Sequence, residues 1–193
     1  MTNDQITPEQ PQPHLGSLAV GGQEVILTRA AAADVPAIVA LLADDVLGQG
    51  REHAGTDPRY TEAFEAIDAD PNQVLVVARA GGEMAATAQL TFIPGLSRGG
   101  ALRAQVEAVR VAADYRGAGL GEAFFRWMAT YAADRGATLM QLTSDRSRTD
   151  AVRFYERLGF VASHVGMKLP LHASGPTASA SAESEPHQTR PGP

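Results

Sequence analysis

The chain predicts an α/β fold, with strands and helices in the order β-α-α-β-β-β-α-β-α-β. Three observations lead there. Short runs rich in Val, Ala and Leu alternate with segments of helical period. The glycine-rich turn Arg116-Gly117-Ala118-Gly119-Leu120-Gly121 joins a strand-like segment to a long amphipathic helix. A second, shorter helix over Thr149–Leu158 ends on Gly159 and is followed by Phe160.

Each element has a local reason. Glu24–Arg29 alternates as a strand. Asp34 is a natural N-cap with Pro36 in the first turn, and Val35, Val39, Leu42 and Val46 form the apolar stripe of a helix that Gly48 would end. Asp57-Pro58 opens a shorter helix with Tyr60, Phe64 and Ile67 on one face. Gln73–Arg79 and Glu83–Ile93 read as strands joined by Gly81-Gly82, a two-residue hairpin turn. Leu102–Ala112 is the next strand, and Leu120–Arg135 the long helix, stopped by Gly136. Thr138–Ser144 is a strand, and Phe160–Leu169 is expected to be the last.

The glycine turn is suited to binding phosphate. Glycines let backbone N–H groups approach a ligand closely, and the helix end adds roughly half a positive charge. Arg116 supplies a permanently charged, bidentate clamp. A Walker-type loop is excluded, because it needs a lysine after its last glycine and Lys168 is the only lysine present. A dinucleotide fingerprint does not fit either, since the glycines fall as G-x-G-x-G. A glycine-rich turn without a ligand remains open on this segment alone.

The second helix narrows the choice. Ala151, Phe154, Tyr155 and Leu158 fall at i, i+3, i+4 and i+7. Together and in this order, Arg116-x-x-Gly119-x-Gly121 and Ala151-x-x-Phe154-Tyr155-x-x-x-Gly159-Phe160 resemble the GNAT superfamily of N-acetyltransferases, over roughly Val25 to Leu171. The resemblance implies a mixed, mostly antiparallel sheet flanked by helices and splayed in its middle to admit acetyl-CoA as acyl donor. Backbone groups of Val109 and Val111 would pair with pantetheine like an added strand. The turn Arg116, Gly117, Ala118, Gly119, Leu120 and Gly121 would hold the diphosphate, with Asp150 and Phe154 also beside the cofactor. Asp150 stands where the family usually has Asn, and a carboxylate only accepts hydrogen bonds where an amide also donates.

Two residues carry expected proton chemistry. Glu107 lies mid-strand among apolar residues, where a carboxylate is costly unless paired. It is either ion-paired, with Arg103 or another arginine, or, as the resemblance implies, the base that deprotonates the acceptor amine through water. Tyr155 is either a packed, hydrogen-bonded helix tyrosine or the acid that protonates the departing thiolate. A phenol with pKa near 10 is protonated at neutral pH and can do so. The implied reaction is direct attack of a primary amine, on a small molecule or peptide, upon the thioester in a ternary complex. A non-catalytic acyl-CoA-binding sensor or regulatory module on the same fold is the alternative. Arg51, Glu52, Tyr60, Arg98 and Arg103 are candidates to line the acceptor pocket. A homodimer is compatible with the resemblance.

Composition bounds the rest. The 193 residues are 44% hydrophobic, enough for a sizeable core. Net charge is −6, yet Val111–Leu171, which holds both motifs, carries eight basic residues against six acidic ones. A polyanionic cofactor would favour that. There is no basic tract or RNP-like pattern for nucleic acid, and no apolar run of membrane-spanning length. The chain has no cysteine, and its N-terminus is not a signal peptide, so a cytoplasmic protein is the default expectation. His14, His53, His164, His172 and His187 show no metal-ligand spacing, and no metal is expected. Gly95-Leu96-Ser97-Arg98-Gly99 fits a nucleophile elbow in letters, but a further strand rather than a helix follows it, so a hairpin turn is expected. Trp127 and Met128 read as core. The expected domain is 23–171, between Pro/Gln/Gly-rich and Ala/Ser/Pro-rich tails at 1–22 and 172–193 that lack the apolar pattern needed to offset chain entropy.

Overall fold

A computed structural model describes residues 13–44, 55 and 57–171. Its sheet has six strands in sequence order: β1 His14–Val20, β2 Gln23–Arg29, β3 Gln73–Ala80, β4 Glu83–Pro94, β5 Leu102–Val111 and β6 Ala137–Leu142. Strands β1 to β5 run antiparallel to their neighbours and β6 runs parallel to β5. A parallel neighbour needs a crossover, which α3 (Leu120–Asp134) supplies. The other helices are α1 (Val35–Ala43), α2 (Pro58–Ala69) and α4 (Thr149–Arg157).

Strand β3, Gln-Val-Leu-Val-Val-Ala-Arg-Ala, is apolar on both faces because both are covered. Val74, Val76 and Ala78 pack in one cluster with Leu120, Phe124, Phe125 and Met128 of α3. Val77 joins Val35, Ile38 and Val39 of α1 and Phe64 of α2 in the other. Phe124 is completely buried, so truncating it to Ala would cost about 3–5 kcal/mol. Asp57 caps α2 by accepting from the Arg59 amide at 3.0 Å, with Pro58 in the first turn. Asp34 precedes α1, but its carboxylate turns back to the Ala31 amide at 2.9 Å and pairs with Arg79 of β3. It therefore pins the helix entry to the sheet instead of capping α1.

Two expectations are corrected. The segment assigned to an N-terminal tail contains β1, which pairs with β2 from His14↔Thr28 to Val20↔Gln23. Gly21-Gly22 is the hairpin turn between them, with φ of 59° and 81°. Leu15, Leu18 and Val20 pack on the main core, and Gly16 leaves room for Trp127: a Cβ there would stand 2.9 Å from its indole nitrogen. The domain thus begins before Gln23. The strand expected over Phe160–Leu169 is absent, since residues 160–171 form no helix or strand. The chain makes one compact unit through Val161 and a separate one from Ala162. In the described part of the latter, Val165, Met167, Leu169 and Leu171 are exposed. Their alternation has the period of a strand, but these residues are not in strand conformation.

Other boundaries shift by a residue or two. Val46 and Gly48, read as the end of the first helix, lie outside the described residues, as do 1–12 of the predicted N-terminal tail and the whole predicted C-terminal tail, 172–193. Ser97 sits in the connection between antiparallel β4 and β5, where Arg98 and Gly99 have φ of 56° and 70°. It is a hairpin turn and not the strand-to-helix elbow of a hydrolase. No helix among the described residues is long and apolar enough to cross a membrane.

Candidate active site

The site follows from a break in strand pairing. β6 pairs with β5 only from Leu102 to Val106, leaving Glu107–Val111 without a strand neighbour on that side among the described residues. Opposite Ala88 of β4, β5 carries an extra residue between Glu107 (paired with Gln89) and Arg110 (paired with Thr87). Ala108 in this bulge has φ of 54°, a conformation costly for any residue but glycine. The bulge re-aims the side chains that follow and opens the sheet.

Two adjoining clefts occupy the opening. The inner one, about 300 Å³ with its solvent, is lined by Glu107 to Arg110 of β5, Leu142 and Thr143 after β6, Arg148, and Tyr155 of α4. The outer one, about 540 Å³, is lined by Asp44, Val109, Arg110, Val111, Arg116 and Arg148. Glu107 and Tyr155, with all of α3 and β6 between them in sequence, share the inner cleft.

Tyr155 is held by aromatic neighbours. Its ring centroid lies 5.5 Å from Phe125, 5.6 Å from Phe154 and 6.0 Å from Phe160. α4 ends as the sequence suggested. Gly159, at φ of 94°, donates to Glu156 O at 2.9 Å, and Phe160 donates to Tyr155 O at 3.0 Å. Burial pushes the Tyr155 hydroxyl above its ordinary pKa, while Arg148 and Arg110 oppose the shift. The phenol therefore keeps its proton at neutral pH. Glu107 is exposed, and among the described residues it has no ion-pair partner, so neither burial nor pairing with Arg103 accounts for it.

The glycine turn lies at the outer end. Gly117 and Gly119 have φ of 77° and 87°, and a Cβ at either would meet nothing within 4 Å, so the turn faces open space. No side chain caps α3, leaving its first amides for a ligand. Gly121 lies under Phe154, whose ring carbon would be 3.5 Å from a Cβ there. Phe154 lines neither cleft and supports the turn from beneath, with Phe125 5.7 Å away. Leu120 is buried in the core. Arg116 donates from Nε to Val111 O at 2.9 Å and pairs with Asp44 at 2.7 Å. Arg110 donates to Val109 O at 2.9 Å. Both carbonyls on the open edge thus already accept a guanidinium, and a ligand pairing there would use their second lone pairs or the strand's N–H groups.

The remaining candidates are scattered. Asp150 is fully exposed in the first turn of α4, 3.4 Å from Arg153. Tyr60 packs against the α1–α2 cluster, Arg98 lies in the β4–β5 turn and Arg103 on β5, and none of them lines either cleft. Arg51 and Glu52 lie outside the described residues. The residues that sequence reasoning missed are Arg110, Arg148 and Asp44. Arg110 stood in plain view between the two valines of the expected pairing edge. Among the described residues no cluster of His, Asp or Glu is arranged for a metal.

Comparison with known proteins agrees with this geometry. The chain is 34% identical over 90 residues to a glucosamine 6-phosphate N-acetyltransferase of Trypanosoma brucei brucei, a match spanning 47% of this chain and 59% of that protein, so under two thirds of that relative's length is matched. The crystal structure of a transcriptional regulator from Bacillus halodurans C-125 superposes with a TM-score of 0.73 at 42% identity, covering 76% of this chain and 99% of that one. A Trypanosoma brucei acetyltransferase follows with a TM-score of 0.62 and 26% identity over 76% and 99%. The family model of the Acetyltransferase (GNAT) family matches residues 39–160, from α1 through both motifs to Phe160. The chain belongs to the GNAT acetyltransferase family.

Proposed function

We propose that this protein is an acetyl-CoA-dependent N-acetyltransferase that moves an acetyl group to a primary amine of a small molecule or peptide. The observation that carries the reading is that Glu107 and Tyr155 line one cleft, at the inner end of an open strand edge that runs outward to Arg116 and the glycine turn. Acetyl-CoA fits the residues present: the turn offers uncapped helix amides, open space and a guanidinium to a diphosphate, and Val109 and Val111 offer a strand edge to pantetheine.

Bound acetyl-CoA supplies a thioester carbonyl for an amine to attack. At the inner cleft the exposed carboxylate of Glu107 takes a proton from the amine, directly or through water, since an ammonium has no lone pair with which to attack. The Tyr155 hydroxyl gives its proton to the sulfur as the carbon–sulfur bond breaks, and regains one from solvent. Tyr155 starts protonated at neutral pH, the state its role needs.

The test is release of CoA thiol from acetyl-CoA with a panel of primary amines. Glu107→Gln should lower turnover most near neutral pH, and the defect should shrink as pH rises and the amine deprotonates unaided. An equal fractional defect at every pH would remove Glu107 from the role of base. One observation favours a second reading: the 42%-identical Bacillus protein is described as a transcriptional regulator. A non-catalytic acyl-CoA sensor would bind acetyl-CoA tightly and release no thiol with any amine.

A further inference from the structure

The cleft holds more positive charge than the diphosphate turn requires. Among the described residues lining its two parts there are three guanidinium groups, Arg110, Arg116 and Arg148, against the carboxylates of Glu107 and Asp44. Arg116 belongs to the glycine turn and is tied to Asp44 and Val111 O. Arg110 and Arg148 line the outer part beside Arg116 and extend further in. Both reach into the inner part with Glu107 and Tyr155, and both bear electrostatically on the Tyr155 hydroxyl. They come from separate elements, Arg110 from the bulged edge of β5 and Arg148 from the residue that opens α4. The fold therefore converges two fixed cations on the place where the acyl group would change hands.

A simple alkylamine would meet these cations as an ammonium and be repelled. An amine carrying its own dianion would be attracted instead. Two planar guanidiniums, each able to donate two parallel hydrogen bonds, match the several oxygens of a phosphate better than the two of a carboxylate. We propose that Arg110 and Arg148 form an anion subsite for the acceptor, and that the natural acceptor is a phosphate-bearing primary amine whose phosphate sits between them. This rests on the N-acetyltransferase reading for the amine's fate, but the binding itself does not. The same phosphate chemistry could come from the cofactor, since both arginines also line the outer part with Arg116; that they alone of the three guanidiniums line the inner part with Glu107 and Tyr155 favours the acceptor. Bound phosphate would compete with Val109 O for the bond that Arg110 donates at 2.9 Å in this structure.

The experiment has a binding arm and a kinetic arm. In the first, inorganic phosphate is titrated calorimetrically into the full chain saturated with CoA, which fills any cofactor phosphate site. Wild type should bind phosphate, and Arg148→Gln and Arg110→Gln should each weaken binding tenfold or more. Equal binding by wild type and both variants, or no binding by wild type, overturns the subsite. In the second, kcat/KM is measured for glucosamine 6-phosphate against glucosamine. The preference for the phosphorylated amine should fall at least tenfold in Arg148→Gln through KM for the amine, and Arg148→Lys should restore part of it. A rise in KM for acetyl-CoA instead would assign the arginines to the cofactor. A fall in kcat with unchanged amine KM would make them groups that act on Tyr155. Should no amine release thiol, the acetyltransferase reading fails, and the calorimetric arm still decides the subsite. Inhibition of wild type by inorganic phosphate, competitive with the amine and not with acetyl-CoA, covers the case in which the variants fold poorly.

Discussion

The amide of Phe160 bonds the carbonyl of Tyr155 at 3.0 Å, while the rings of the same two residues pack 6.0 Å apart. The turn that ends α4 is thus also the support that holds the phenol at the inner cleft. Gly159 makes it possible, since its φ of 94° suits glycine alone. Gly159→Ala should cost about 1–2 kcal/mol, seen as a Tm lower by several degrees. Turnover should fall by more than that stability loss explains, because Tyr155 loses its anchor. Unchanged kcat at a temperature where the variant is folded would separate the turn from the chemistry.

The glycine turn gives a paired comparison. Gly119→Val and Gly136→Val both place a β-branched residue at positive φ, 87° and 85°, with nothing within 4 Å of the new Cβ. Their intrinsic strain should be similar. Acetyl-CoA at about 100 times its dissociation constant should add about 2.7 kcal/mol to the stability of wild type. Thermal shift should show this gain kept in Gly136→Val and lost in Gly119→Val, whose side chain fills the mouth facing the diphosphate. A full shift in Gly119→Val would mean that this turn does not hold the cofactor.

Removing residues through Gly22 should destabilise the domain. Without β1, the edge of β2 and the indole of Trp127 lose their cover, and Val25 and Leu27, now buried, are partly exposed. The loss should be about 3 kcal/mol or more, the burial of two large aliphatic side chains. Trp127 is the only tryptophan, so its fluorescence reports the event directly. A truncated chain with wild-type Tm and an unshifted emission maximum would show that β1 contributes little.

The raised pKa of Tyr155 fixes a sign at alkaline pH. A proton held more tightly in the folded state contributes stability that is present below the unfolded pKa of about 10 and lost as pH rises beyond it. Denaturant unfolding should show wild type losing stability relative to Tyr155→Phe above pH 10, with the two parallel between pH 7 and 9. Curves that stay parallel to pH 11 would remove the burial effect.

Much of the fold was legible because its local signals agree. Pro58, Gly136 and Gly159 each stand at a boundary where the backbone needs them, the continuous apolar run of β3 matches a strand buried on both faces, and the period of α3 matches its burial. β1 was misread for an avoidable reason. Gly21-Gly22 marks a hairpin as plainly as Gly81-Gly82 does, but the small residues of Gly16-Ser17-Leu18-Ala19 dilute the apolar pattern, and Gly16 is small because Trp127 lies against it. The expected last strand failed for the opposite reason. Residues 161–171 have the alternation but form no strand, because strand formation needs pairing, a tertiary property that period alone does not supply. In the site, the motif residues could be read from spacing. Arg148 and Asp44 could not, because only the opening of β5 from β6 brings them to the same cleft.

The most direct measurement is thiol release from acetyl-CoA by wild type and Tyr155→Phe across an amine panel, with acetyl-CoA affinity determined alongside. Tyr155→Phe keeps the ring among Phe125, Phe154 and Phe160 and removes only the proton. Wild type should release CoA with at least one amine, and the variant should lose about 10²–10⁴ in turnover, the usual scale of acid–base catalysis, while its affinity changes no more than a few-fold. Loss of affinity in proportion to activity would make the hydroxyl structural, and tight binding by wild type without release from any amine would contradict acetyl transfer at this cleft.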